Sequence, residues 1–320
     1  MKKILITGAC GFIGSHFVKY TLDTYKDVIV VGLDMAMDTK SMKRLDSVVS
    51  HSRFRMIQAD LTGDISDILE DIDVVVHFAA KTFVDHSVRA SESHLLNNVV
   101  GTYKLLEAIR QVKGYKGLNP LYVHVSTDEV YGQIQEGFFD ETSPLNPTNP
   151  YAATKAAADM LVLGWSNAYD IPVIITRTEN NYGTYQHMQK VLPVFVKKAL
   201  NDEALPIYGD GKHKRMWLHV LDHCSAIWFL IDRETQGIFH IAGKEELENI
   251  EMANKILKIL DKPNGPITFV PDKAIRPVHD RRYALTSTKI EKMGWRPERT
   301  LDDCLEKVVK WYADNKWWLY

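Results

Sequence analysis

Short runs of apolar, β-branched residues recur along the first half of the chain, separated by stretches whose apolar positions fall three or four residues apart. The runs at Lys3–Thr7, Val28–Leu33, Phe54–Gln58, Val74–Phe78, Leu121–Ser126 and Val173–Arg177 predict strands. Their apolar character is nearly continuous, not alternating, as expected of strands covered by helices on both faces. Gly14–Tyr25, Glu92–Gln111 and Tyr151–Tyr169 carry helical spacing between them. Strand and helix in alternation predict βαβ units around a parallel sheet, an α/β fold.

After Arg177 the pattern shortens. Pro193, Pro206, Pro263, Pro266, Pro271 and Pro277 punctuate it, and basic and aromatic residues are interspersed. The expected organisation is a first domain over residues 1–177 and a smaller α/β substrate-binding domain over 178–320. The two interleave, because 217–240, and within it Trp217–Asp232, is expected to return and pack on the first. Leu301–Tyr312 predicts an amphipathic helix, and the tail Trp317-Trp318-Leu319-Tyr320 is expected to pack. No internal repeat, low-complexity tract or long linker interrupts the chain.

Composition narrows the function. A chain of 320 residues, 45% hydrophobic and 25% charged, is an ordinary globular protein. Its net charge of −2 offers no general field for nucleic acid or an anionic membrane. Cys10, Cys224 and Cys304 are odd in number and widely spaced, which points to a reducing cytoplasm and away from disulfides or a zinc site. No signal-peptide core precedes the first strand and no apolar run would span a bilayer. The expectation is a cytoplasmic enzyme without a metal.

Gly8-Ala9-Cys10-Gly11-Phe12-Ile13-Gly14 follows the first strand and opens the first helix. Glycines there permit a tight turn and close approach to a pyrophosphate facing the helix N-terminus. Asp34 ends the next strand, where a carboxylate accepts from ribose hydroxyls and repels a 2′-phosphate, so NAD is expected over NADP. Asp60-Leu61 and Phe78-Ala79-Ala80, after the third and fourth strands, are placed to flank the adenosine and pyrophosphate. The first domain is therefore read as a Rossmann-type doubly wound parallel sheet.

Tyr151 and Lys155 stand four apart, on one helix face, so the ammonium can lie beneath the phenol and favour phenolate. Upstream, Ser126-Thr127-Asp128-Glu129 ends a strand with two hydroxyls and two adjacent carboxylates. Alcohol oxidation needs no such acid and base; elimination at a second carbon does.

On these stretches the chain resembles the extended short-chain dehydrogenase/reductase family, and most closely its nucleotide-sugar 4,6-dehydratases of the dTDP-glucose 4,6-dehydratase type. The likeness runs through His77-Phe78-Ala79-Ala80, Ser126–Gly132, Asn149–Lys155, Asn180-Asn181-Tyr182-Gly183, Tyr208-Gly209-Asp210-Gly211 and Arg276–Tyr283. It implies that Tyr151 takes the C4 hydroxyl proton with Thr127 bonding that oxygen, Glu129 removes the C5 proton, and Asp128 protonates the departing C6 hydroxyl. Hydride leaves C4 for NAD and returns to C6. The resemblance adds Thr82, Asn98, Ser126, Tyr151 and Lys155 to the cofactor wall. For the nucleotide-diphosphate sugar it nominates Asp85, Thr127, Asn180, Lys190, Pro206, Tyr208, Arg215, Asn249, Arg276 and His279. It also implies a homodimer through Thr102–Gln111 and Ala156–Tyr169.

Four positions depart from the pattern: Lys81 replaces the usual glutamate, Glu179 a serine, Met216 an aspartate and Val278 a glycine. If Lys81 and Glu179 line the sugar pocket, a substrate other than plain glucose, such as a UDP-2-acetamido sugar, is implied. A nucleotide-sugar 4-epimerase or decarboxylase shares the NAD loop and Tyr151-Lys155 but leaves Asp128-Glu129 without a task. A catalytically silent nucleotide sensor leaves all five chemical residues without one.

Overall fold

A computed structural model describes residues 1–271 and 279–320. Strand β1 (Lys2–Thr7) leads through the glycine turn to α1 (Phe12–Thr24), then β2 (Val28–Asp34), β3 (Phe54–Gln58) and β4 (Val74–His77). Next come α2 (Gly101–Lys116), β5 (Leu121–Thr127), α3 (Pro150–Tyr169), β6 (Val173–Thr178) and β7 (Asn180–Tyr182). The second half adds α4 (Val191–Leu200), β8 (Leu205–Tyr208), β9 (Lys214–His219), α5 (Val220–Asp232) and β10 (Gly237–Ile241). It finishes with β11 (Glu245–Glu248), α6 (Asn249–Ile259), β12 (Ile267–Val270) and α7 (Leu301–Asp314).

The main sheet has seven strands in the order β10-β6-β5-β4-β1-β2-β3. Every pairing in it is parallel. The six strands expected from apolar runs all belong to it, each within a residue of its expected limits. The seventh, β10, has no such signal: it is short, carries His240 as its fourth residue and, among the described residues, pairs only with β6 at the sheet edge.

Successive side chains of a strand point to opposite faces. On one face Ile4 and Ile6 meet Phe17 of α1 and Ile227 and Trp228 of α5. On the other, Leu5 meets Leu105 and Ile109 of α2 and Val162 of α3. Trp228 fixes α5 against α1, stacking on Tyr25 at 3.8 Å and donating to the Thr21 hydroxyl at 2.8 Å. Thus α5 packs on the sheet that holds the first helix. Trp217 does not: it lies on β9 in a second, three-stranded sheet, β11-β9-β7, and joins a separate core with Phe195, Ile256, Val309 and Trp318. In the tail, Trp318 and Leu319 pack, whereas Trp317 and Tyr320 stay exposed.

The stretch expected as one helix over Glu92–Gln111 is interrupted. A short helix at Glu92–His94 passes into a π-helical stretch, Leu95–Val100, before α2. Such widened turns are common at functional sites. Here the turn sets Asn98 to grip the loop after β4: its side chain accepts from Lys81 N at 2.8 Å and donates to Lys81 O at 3.0 Å.

The parallel strands all end on one edge, at Thr7, Asp34, His77, Thr127 and Thr178 among others, which is where ligands bind in open α/β sheets. The glycine turn there is sterically tight. Gly8 has φ +69°, and a Cβ on Gly14 would stand 2.2 Å from the Gly8 carbonyl oxygen. Gly14→Ala is therefore expected to force the turn open and destabilise the protein by about 1–3 kcal/mol. Gly114→Ala, in α2 with nothing within 4 Å of the added carbon, is expected to stabilise by roughly 0.5–1 kcal/mol. Thermal unfolding of the two variants checks both signs.

Candidate active site

A cleft of about 440 Å³ opens along the carboxyl edge of the main sheet. One end is the glycine turn, with Gly8, Gly11, Phe12, Ile13 and Gly14 on its wall together with Asp34, Asp60 and Leu61. The helix α1 begins at Gly11 without a side-chain cap, so its first amides are available to an anion. Asp34 is partly buried and accepts from Cys10 N and Ala36 N, both at 3.0 Å; burial raises its pKa, and the two amides oppose that. A dinucleotide fits this wall: backbone amides for a pyrophosphate, a carboxylate for ribose. Phe78, Ala79, Ala80 and Thr82 continue it toward the chemical end. Asn98 is not on the wall; its amide group holds the Lys81 peptide in place and reaches the Thr154 hydroxyl at 3.0 Å.

At the other end Ser126, Thr127, Asp128, Glu129, Tyr151 and Lys155 line the same cleft. Strand β5 stops at Thr127 and a tight turn, Asp128–Tyr131, follows; the Thr127 hydroxyl accepts from Glu129 N at 3.3 Å and donates to Asp128 Oδ1 at 2.9 Å. Asn149 serves two elements. Its oxygen caps α3 by accepting from Ala152 N, and its nitrogen donates to Glu129 Oε2 at 3.1 Å. The Ser87 hydroxyl accepts from Tyr151 N, fixing the helix start. Burial, reinforced by the charge of Glu129, pushes the Asp128 carboxyl up to about 7. That suits a group that must hold a proton near neutrality and release it.

Lys155 shares the helix face with Tyr151 but turns away from it. Its ammonium donates to Val125 O at 2.8 Å and faces His124 Nε2 at 3.3 Å, and burial pulls its pKa down to about 8. Burial and Glu129 raise the Tyr151 phenol, with the Thr127 hydroxyl opposing. The Thr127 hydroxyl is the neighbour that favours phenolate at Tyr151, while the Lys155 ammonium is directed to Val125 O. Beneath Lys155 lies a buried polar chain: Asp159 bonds Arg177 at 2.9 Å, Arg177 bonds the Tyr131 hydroxyl, and Tyr131 bonds His240 at 2.7 Å.

The residues nominated for substrate divide. Asn180 and Lys190 line the cleft, with Lys190 donating to Thr82 O at 3.0 Å. Asp85 sits nearby on the short helix Val84–Arg89 but not on the lining. Tyr208, Arg215, Asn249 and His279 form a second cluster outside it. There Arg215 faces His279 at 3.4 Å, His279 lies edge-to-face with Tyr208, and Asn249 N donates to His213 O, whose ring stacks on His279 at 3.9 Å. Pro206 is on β8 beside Tyr208. Arg276 and Val278 lie outside the described residues. Met216 is buried on β9 opposite Glu246. Lys81 is exposed on the cleft wall. Glu179 is buried, and both its oxygens accept backbone amides, from Leu285 N at 2.9 Å and Gly243 N at 3.1 Å.

Sequence reasoning passed over Arg44, Asn149 as a side chain, Gln186 and His187. Arg44 lines the cleft and reaches Cys10 O at 2.9 Å and Tyr185 O at 3.0 Å, buckling the glycine turn to the second half of the chain. No motif surrounds it, so only tertiary contact exposes its place.

Known proteins share this sequence pattern and fold. The chain matches the GDP-mannose 4,6 dehydratase family over residues 5–308. It is 40% identical to the low-salt glycan biosynthesis protein Agl12 of Haloferax volcanii, over 98% of this chain and 99% of the relative. It is 39% identical to a dTDP-glucose 4,6-dehydratase of Streptomyces niveus, over 99% and 94% of the two chains. Among solved structures, the dTDP-glucose 4,6-dehydratase DesIV of Streptomyces venezuelae, crystallised with NAD, superposes with a TM-score of 0.91 at 39% identity, over 99% of this chain and 98% of the other. The chain therefore belongs to the GDP-mannose 4,6 dehydratase family, among the nucleotide-sugar 4,6-dehydratases of the extended short-chain dehydrogenase/reductase type.

Proposed function

We propose that the chain is an NAD-dependent nucleotide-sugar 4,6-dehydratase that converts a nucleoside-diphosphate hexose, dTDP-glucose or a UDP-sugar, to its 4-keto-6-deoxy form. The observation that carries this reading is the pair Asp128 and Glu129, set beside Tyr151 in a cleft whose far end is a dinucleotide turn. The relatives named for the same reaction support it.

NAD held on the glycine turn would take a hydride from C4 and give it back at C6, so the overall reaction is redox-neutral. Tyr151 accepts the proton of the C4 hydroxyl while Thr127 orients that oxygen. The 4-ketone acidifies the C5 hydrogen. Glu129, held by Asn149, removes it as the C5–C6 double bond forms, and Asp128 gives its proton to the C6 hydroxyl, which leaves as water. Hydride delivered to C6 and a proton returned to C5 complete the product. Gly8, Gly11, Gly14, Asp34 and the Phe78–Thr82 loop hold the dinucleotide. Lys155 is buried, and its ammonium anchors the floor of the site. Asn180 and Lys190 take the near side of the sugar nucleotide, and the cluster of Tyr208, Arg215, Asn249 and His279 takes its diphosphate and base by charge and stacking.

Two copies pair through the faces of α2 and α3. The support is their exposed apolar surface: Leu95 and Leu96 before α2, Tyr103 on it, and Met160 and Tyr169 on α3 are all at least 39% exposed. The three free cysteines favour a reducing compartment, the cytoplasm.

The decisive measurement is product mass after incubation with dTDP-, UDP-, CDP- and GDP-hexoses, 2-acetamido forms included. Loss of one water from one member supports the dehydratase; an unchanged mass with inverted C4 would replace it with an epimerase. Glu129→Gln is expected to lower the dehydration rate about 10²–10⁴-fold with cofactor binding retained. An unaltered rate would remove Glu129 from this role. Leu96→Glu combined with Met160→Glu is expected to convert a dimer into a monomer by light scattering.

A further inference from the structure

Arg44, between β2 and β3, is only 7% exposed and lies on the cleft wall beside the glycine turn. Two backbone carbonyls share its guanidinium: Nη1 donates to Cys10 O at 2.9 Å and Nε to Tyr185 O at 3.0 Å. Cys10 belongs to the glycine turn. Tyr185 belongs to the segment between β7 and α4, whose Gln186, His187 and Lys190 line the cleft from the second half of the chain. One side chain thus joins two walls of the same cleft. Hydrogen bonds from an ionised donor are stronger than neutral ones, and parting from either carbonyl would leave a buried charge short of a partner.

The second of these walls is held under strain. Tyr185 has φ +60°, in the left-handed region that a bulky residue occupies only where its surroundings impose it. Much of what imposes it comes from the C-terminal end. Tyr312 of α7 accepts from Gln186 N and donates to Gly183 O, both at 2.9 Å, and Trp318 Nε1 donates to Gln186 O at 2.8 Å. The Trp318 ring packs edge-to-face with Tyr185 at 5.3 Å, and the Arg44 guanidinium lies over that indole at 4.6 Å. From α1, the Lys19 ammonium stands over the Tyr185 ring at 4.6 Å. Tyr312 and Trp318 are off the cleft lining, so they reach it through this segment and through Arg44.

We propose that Arg44, Tyr185 and Trp318 form a clasp that retains the dinucleotide. Arg44 is its positioning residue, drawing the wall at residues 185–190 onto the glycine turn, and the C-terminal segment braces that wall. The role rests on the reading of the cleft as an NAD site. A reaction that takes a hydride from its substrate and gives it back leaves NAD as it began. The cofactor then has no need to exchange between turnovers, and a cleft clasped around it does not slow them. Arg44 acts through the carbonyls of Cys10 and Tyr185, not through the sugar. The linkage is reciprocal: if the closed clasp favours NAD, bound NAD favours the closed clasp, out to Trp318.

The test loads the full chain with tritium-labelled NAD, adds excess unlabelled NAD and follows release of the label from the wild-type protein, Arg44→Met and Arg44→Lys. Arg44→Met fills much of the same space without a donor and is expected to release the label about tenfold faster or more. Arg44→Lys, with one donor group in place of two, is expected to fall between. A second arm uses the wild-type protein alone, comparing amide hydrogen exchange with and without NAD. Residues 185–190 and, beyond the cleft, 315–318 are expected to exchange severalfold more slowly with NAD bound. Release at the wild-type rate from an Arg44→Met protein that keeps the wild-type near-ultraviolet circular dichroism overturns the proposal. It does so even where the variant melts earlier, since Arg44 is then structural only. If Arg44→Met does not fold, the exchange arm decides, and exchange at 315–318 indifferent to NAD overturns the clasp. A wild-type protein that binds no NAD sinks the dinucleotide reading and the clasp with it. NAD bound by the wild-type protein, with release indifferent to Arg44, sinks the clasp alone.

Discussion

The site hangs on one buried ion pair. Asp159 of α3 meets Arg177 of β6 at 2.9 Å, with both side chains essentially inaccessible to solvent. Such a pair adds little net stability when complete, but loss of one partner leaves an uncompensated charge and costs about 3–5 kcal/mol. Its use here is registration. Asp159 lies two turns beyond Tyr151, so seating its carboxylate on Arg177 and near His124, at 3.5 Å, sets how α3 lies against the end of β5. The far side of Arg177 continues through Tyr131 to His240, which ties the edge strand β10 into the same chain of contacts. A shift of α3 along the sheet would break both contacts of Asp159 together. That constraint is what holds Tyr151 over Thr127.

With the helix registered, the placing of the proposed acid and base follows from the way β5 ends. The strand delivers Thr127 and then turns at once, so Asp128 and Glu129 project into the cleft from consecutive positions. They are kept unlike by their partners. Glu129 is held by Asn149, whose other atom caps α3, so Glu129 and the helix start are positioned by one side chain. Asp128 is buried, and its carboxyl rises toward neutrality for that reason first. Two chemically similar residues are thereby set in unlike environments, as the proposed acid and base roles require.

The sheet was legible because its six inner and flanking strands are continuous apolar runs, a direct result of being covered on both faces. Strand β10 was not, since it is only five residues long and the buried His240 interrupts its apolar run. Within the site, the glycine turn and the spacing of Tyr151 and Lys155 could be read directly. Where Lys155 points could not. Helical spacing puts the two side chains on one face, but the direction of the ammonium is decided by Val125 O and His124 on a neighbouring strand. Asn98 reads as a cofactor residue by resemblance, yet a π-helical turn aims it at the Lys81 peptide. The cluster of Tyr208, His213 and Arg215 is completed by the distant His279, and no sequence spacing foretells a histidine stack at 3.9 Å.

Lys81 and Glu179 looked alike in the sequence, as two charges placed where the family has something else. Burial separates them. Glu179 is inside, with both oxygens bound to the amides of Gly243 and Leu285, so it joins three segments and is poorly placed to grip a substrate hydroxyl as well. Lys81 is on the cleft wall and exposed, its peptide clamped by Asn98 while its side chain extends beyond that clamp. A cation in that setting can meet an incoming ligand without first giving up a buried partner. Of the two, the exposed cation at the cleft wall is therefore the better placed to bear on the choice of ligand.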